Sequence, residues 1–171
     1  PSEEMKIKLL NESYLSLTYL GFLKGDRIVH KAMNDPLFQR YVRTFMDLDV
    51  TPQLAAVPGI DLEAYKDTLI ERFSNQAIAD QLERVCSDGS SKFPKFIVPT
   101  SNRLIAHGRE TERAAPAVAA RALYPKGVAE HGASLAIPAP RGELCPGRAW
   151  HGALLSKPPL GGDTRFGQAA P

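Results

Sequence analysis

Cysteine is scarce in this chain, and its apolar runs are short. The two cysteines, Cys86 and Cys145, stand far apart and match neither a disulfide scaffold nor a metal knuckle. No stretch of about 18 uninterrupted apolar residues occurs, so no segment reads as a membrane span. An excess of one charge is also lacking. Lys and Arg number 21 against 19 Asp and Glu, a net charge of +2, which argues against a partner held through a nucleic-acid backbone. The opening PSEEMKIKLL has no small-residue cleavage pattern of a secretory signal. These absences predict a cytoplasmic, globular chain with no nucleic-acid and no membrane partner.

The list of missing motifs is equally restrictive. There is no GxGxxG, no Walker loop and no GxSxG elbow. His30, His107, His131 and His151 share no spacing that would place two metal ligands on one helical face. The residues therefore predict no metal, and no nucleotide phosphate cradled by this chain alone.

What is present falls into two unequal parts. Residues 1–112 hold 6 of the 14 prolines and 5 of the 13 glycines, whereas 113–171 hold the remaining 8 of each. The second stretch is also rich in alanine and poor in long aliphatics. This predicts an ordered helical domain over 1–112 and a poorly specified continuation over 113–171, partly helical or irregular.

The class is all-α, because apolar residues recur at helical spacing and none of the segments alternates convincingly as a strand. Residues 4–24 carry an apolar arc too wide for a surface helix, so this helix should be largely buried and end near Gly25. A short helical piece follows around Arg27–Met33. Asp35 and Pro36 form a cap and first-turn pair ahead of Leu37, Phe38, Tyr41, Val42, Phe45 and Leu48. Asp61 should cap a helix whose stripe is Leu62, Tyr65, Leu69 and Phe73, with Glu63, Lys66 and Asp67 facing water. Asn75 is expected to open a weaker helix through Ile78, Leu82 and Val85. The turn at 87–90 then leads into a helix from Phe93 to Leu104, with Pro94 in its first turn and a kink at Pro99. A last helix is expected from Glu112 to Leu123, weakened by Pro116.

Two polar sets stand out. Lys6, Asn11 and Tyr14 share one side of the first helix, since Asn11 and Tyr14 lie ~140° and ~80° from Lys6 at ~100° per residue. A buried lysine there needs pairing or a task. Arg84 and Lys92 flank the 87–91 turn, and a cation such as Lys92 at a helix start opposes the macrodipole unless an anion is near. Taken singly, each has a bland alternative: Lys6 snorkelling to water, Arg84 pairing with Glu83 or Asp88.

Three ordered blocks carry a resemblance. KIKLLNESYLSLTYLGFLKG at 6–25, VPGIDLEAYKDTLIERFSN at 57–75 and RVCSDGSSKFPKFIVPTSNRL at 84–104 resemble successive segments of the C-terminal domain of the long-chain mannitol dehydrogenase family. The likeness is dense over 3–112 and fainter through ALYPKGV and DTRFGQAAP. It implies a helical substrate domain that works with an N-terminal Rossmann domain absent from this chain, using NAD or NADP without zinc. The chain alone should then lack dehydrogenase activity. The implied partner is a small polyol or ketose. Within the family the alternative is a hexuronate reductase, for fructuronate or tagaturonate; outside it, a non-catalytic truncated helical module.

Carried over by position, the catalytic lysine of the family falls on Lys6 and its asparagine on Asn11, five residues on. The substrate-contacting arginine and lysine fall on Arg84 and Lys92. Tyr14 stands where members commonly carry a histidine; it can hydrogen-bond a sugar hydroxyl but is longer. The chemistry implied is coherent. Oxidation of a secondary alcohol needs a base for the hydroxyl proton while hydride leaves carbon. A lysine serves when burial and neighbouring cations, here Arg84 and Lys92, loosen its proton. Asn11 would donate to the developing alkoxide or ketone oxygen.

Overall fold

The computed structural model describes residues 2–124, without the side chain of Ser90. The expectations placed on 125–171 fall outside the described residues.

The chain opens on one continuous helix in three pieces: α1 (Ser2–Met5), a π-helical stretch (Lys6–Glu12) and α2 (Ser13–Lys24). As the wide apolar arc required, its second half is the core of the fold. Leu9, Leu15, Leu17, Tyr19 and Phe22 are fully or almost fully buried, and α2 packs against α3, α4, α6, α7 and α8. It ends at Gly25, whose φ of 111° is open to glycine and costly to other residues. The Gly25 and Asp26 amides turn back onto the last helical carbonyls there.

After α3 (Val29–Met33), α4 (Pro36–Phe45) starts as its sequence dictates, with the Asp35 carboxylate accepting from the Leu37 amide at 2.9 Å. Phe38, Val42 and Phe45 form its buried stripe. Leu37, expected in that stripe, is 65% exposed, and Leu48 is exposed as well. Leu37 precedes Phe38 by one residue and so lies about 100° around the helix from it. Leu48 falls in a second π-helical stretch (Met46–Val50) whose buried residues are Met46, Asp49 and Val50.

Helix α5 (Leu62–Ser74) begins where Asp61 accepts from the amides of Glu63 and Ala64. Leu69 and Phe73 are buried as expected. Lys66 is not on the water face: it is 1% exposed. It lies three residues before Leu69 and so shares the inward face. Its ammonium is neutralised there by Asp47 and by Glu63 at 2.6 Å.

No helix opens at Asn75. The Asn75 side chain instead accepts from the Ala77 amide and its carbonyl from Ile78. Ala79 then takes a left-handed φ of 44°, which a continuing helix cannot absorb. The segment that follows is pinned to the start of α3 through an isolated Ile28–Gln81 bridge, with Val29 donating to the Asp80 carbonyl at 2.9 Å. Helix α6 is therefore short (Leu82–Ser87).

Helix α7 (Gly89–Ala106) starts before Phe93, so Pro94 lies past the first turn, and it continues through Pro99. Helix α8 (Ala114–Leu123) packs on α2 and buries Ala114, Ala117 and Ala120, with Tyr124 in the same core. Its start is fastened to the far side of the fold by Arg113, which donates to the buried Asp49 at 2.6 Å. The packed body thus runs past the boundary expected at 112. Among the described residues no helix is long and apolar enough to cross a membrane.

Candidate functional site

A cavity of about 290 Å³ opens where α2, α3, α5, α6 and α7 converge. Its apolar wall comes from Leu15, Val29, Phe73, Val85 and Phe96, all carried by helices whose apolar stripes face the core. Its polar wall gathers Asn11, Tyr14, Arg84 and Lys92, four residues that sequence reasoning singled out on two separate segments. Asn11 comes from the π-helical stretch, Tyr14 from the first turn of α2, Arg84 from α6 and Lys92 from the first turn of α7.

Tyr14 is half-buried, its ring 5.1 Å from that of Phe73. Its hydroxyl donates to Asp80 Oδ2 at 2.5 Å. Burial pushes its phenol pKa up, and the adjacent carboxylate pushes the same way. Arg84 pairs with neither Glu83 nor Asp88. Its guanidinium reaches both oxygens of Asp80 at 2.7 Å, four residues earlier. Burial alone would raise the Asp80 pKa, but the bonds from Arg84 and Tyr14 outweigh it and hold this carboxyl below the ordinary aspartate range. Lys92 finds the anion that its place at a helix start called for: it donates to Asp88 at 3.0 Å.

Lys6 departs from expectation. It is exposed and does not line the cavity. The π-helical stretch packs inward through Lys8, Leu9 and Glu12, which leaves Lys6 on the outward side. The lysine buried in this stretch is Lys8, beside Glu12 and Thr100. The π geometry has a second effect. It bonds residues five apart, so Lys6 stands about one turn above Asn11, closer around the axis than the ~140° of an α-helix.

Sequence reasoning missed Asp80 and, on the same wall, Arg72 and His30. The Asp80–Arg84 spacing of four was a local signal for that pair. Nothing local signalled that Tyr14 would join it. Among the described residues no cluster of three His, Cys, Asp or Glu side chains could hold a metal ion. None of the left-handed glycines (Gly25, Gly59, Gly108) lines the cavity.

Comparison with known proteins converges on one group. The model of the mannitol dehydrogenase C-terminal domain matches residues 1–149. A mannitol 2-dehydrogenase of Aspergillus fumigatus is 39% identical over 166 residues, covering 94% of this chain and 33% of its own length. One from Phaeosphaeria nodorum is 36% identical over 141 residues, covering 82% of this chain and 25% of its own. Among solved structures, the ternary complex of Pseudomonas fluorescens mannitol 2-dehydrogenase with NAD and D-mannitol is 76% identical, with a TM-score of 0.78. It matches 82% of this chain and 29% of that one. A substrate-free D-sorbitol dehydrogenase is 34% identical, with a TM-score of 0.76, over 83% of this chain and 30% of its own. The chain spans about a third or less of these relatives.

Proposed function

Because the chain belongs to the mannitol dehydrogenase C-terminal domain family, we propose that it is the substrate-binding part of an NAD-dependent polyol dehydrogenase of the mannitol 2-dehydrogenase kind. The observation that carries this reading is the convergence of Asn11, Tyr14, Arg84 and Lys92 on one cavity, whose volume lies near the ~300 Å³ lower end of ordinary small-ligand sites.

The nicotinamide cofactor, when bound, supplies the hydride acceptor. Its binding is assigned to the part of the relatives that this chain does not span, and no metal is assigned a role. This chain's own residues do the rest. Arg84 and Lys92 donate to hydroxyls of a polyol or ketose, while the Phe73 and Phe96 side of the cavity covers its carbon chain. The Asn11 amide donates to the oxygen that gains charge as the alcohol becomes a ketone, a contact worth ~3 kcal/mol when well aimed. Lys6, one turn above Asn11, is the candidate acceptor of the hydroxyl proton. Such a base needs enclosure, and Lys6 is exposed among the described residues.

The test exchanges this chain for the matching part of the Pseudomonas fluorescens enzyme. NAD-linked oxidation of mannitol is expected. Lys6→Ala is expected to cut kcat by roughly 10²–10⁴-fold with KM little changed. A change in KM alone would remove Lys6 from the base role. The exposure of Lys6 favours one second reading, a helical module whose site is unused. A folded exchange protein that turns over neither polyol nor ketose would establish it.

A further inference from the structure

Asp80 has no part in the reaction just described, yet both of its carboxylate oxygens are hydrogen-bonded. Among the described residues lining the cavity it is the single acid. Its carbonyl is held to α3 by the Val29 amide, and the left-handed Ala79 precedes it. Its Oδ1 accepts from the Gln81 amide and from Arg84 Nε, both at 3.0 Å. Its Oδ2 accepts from Tyr14 at 2.5 Å and from Arg84 at 2.7 Å. Two of the polar side chains that line the cavity, Tyr14 and Arg84, are therefore fastened to one carboxylate.

That arrangement has a consequence for charge. Three cations line the cavity: Arg72, Arg84 and Lys92. Arg84 is paired with Asp80 and Lys92 with Asp88, while Arg72, exposed like Arg84, is screened by water. A ligand carboxylate approaching Arg84 meets a guanidinium already hydrogen-bonded to Asp80, and that acid repels the newcomer. A hydroxyl meets no such penalty. It can donate to Asp80 and accept from Arg84 at once, because hydroxyls do both.

We propose that Asp80 is the specificity-determining residue of this cavity: by holding Arg84 and Tyr14 it selects uncharged polyols and ketoses and disfavours hexuronates. The proposal rests on the polyol-dehydrogenase reading above and adds to it the residue that sets the substrate's charge.

The exchange protein tests both and keeps them apart. Fructose reduction with Asp80 intact reads the polyol-dehydrogenase function by itself; without turnover of any polyol or ketose, that reading falls and the proposal falls with it. Given turnover, Asp80→Asn keeps the size of the side chain and removes its charge. The ratio of kcat/KM for fructuronate to that for fructose is expected to rise about tenfold, the effect of one charge-assisted contact, mainly through a lower fructuronate KM. Asp80→Glu is expected to bring the ratio back toward its starting value. A ratio unchanged within about twofold, or both substrates weakened by the same factor, overturns the proposal and leaves Asp80 a structural residue. If Asp80→Asn does not fold by circular dichroism, inhibition of the unmodified protein decides. Fructuronate must then compete with fructose about tenfold more weakly than the fructose KM; competition at or below that KM overturns the proposal.

Discussion

Thr100, near the middle of α7, donates its hydroxyl to the Glu12 carboxylate at 2.7 Å inside the core. The Lys8 ammonium stands 3.9 Å from the same carboxylate and 3.4 Å from the Thr100 hydroxyl. The three side chains tie the π-helical stretch that carries Asn11 to the helix that carries Lys92.

Burial dominates this cluster and pushes the Glu12 pKa up to about 7, against the opposing pull of Lys8 and Thr100. A carboxyl whose folded pKa lies above its unfolded value binds its proton more tightly when folded. Its contribution is therefore fully present below about pH 4.5 and is lost as pH rises through about 7. Glu12 should cost on the order of 2–3 kcal/mol of stability across that window. Urea denaturation at pH 5 and pH 8 should show the slope, and Glu12→Gln should flatten it. An identical slope in both proteins would place the pH dependence elsewhere.

The buried Lys66 gives a second prediction. Asp47→Ala leaves this ammonium with Glu63, whose side chain is 65% exposed and well screened. The loss should be about 1–2 kcal/mol, reduced from that of a fully buried pair because Asp47 is itself partly exposed. Removing the cation as well, with Lys66→Met, should recover part of the loss. Additivity of the two changes in chemical denaturation would show that they do not interact.

Gly89 is fixed by space rather than by backbone angle. A Cβ at this position would fall 1.4 Å from the Tyr19 hydroxyl oxygen and 2.7 Å from its ring. Gly89→Ala should therefore destabilise the chain by roughly 2 kcal/mol or more, through overpacking at the start of α7. Tyr19→Phe removes the nearer atom, at the cost of the hydroxyl's bond to the Cys86 carbonyl. The double variant should be more stable than the two single losses added together. Thermal melts of the four proteins decide it.

Asp61→Ala should cost about 1 kcal/mol, since one carboxylate oxygen accepts from two otherwise unpaired amides at the start of α5. Asp61→Asn should recover most of it. Equal midpoints in urea for all three would mean that the cap contributes nothing.

The helix starts at Asp35-Pro36 and Asp61, the stop at Gly25 and the buried first helix were legible because each depends on residues within a turn or two. The helix expected at Asn75 failed for the opposite reason: 75–82 is shaped by pairing with 27–29 and by the left-handed Ala79, neither of which has a helical period. Lys66 was read as solvated because charge predicts exposure unless a partner is known, and Asp47 lies 19 residues away.

The same division runs through the site. Periodicity, caps and the three ordered blocks determined, from the sequence by itself, an all-α chain of one recognisable family and four of the residues on its cavity wall. Only the tertiary structure decided that Lys6 faces water, that Lys8 and Glu12 are buried in its stead, and that Tyr14 meets Asp80 across 66 residues of chain. The physical reason is range. Hydrogen bonds within a turn are written in adjacent letters, whereas burial and the pairing of distant charges exist only after helices from separate parts of the chain have packed.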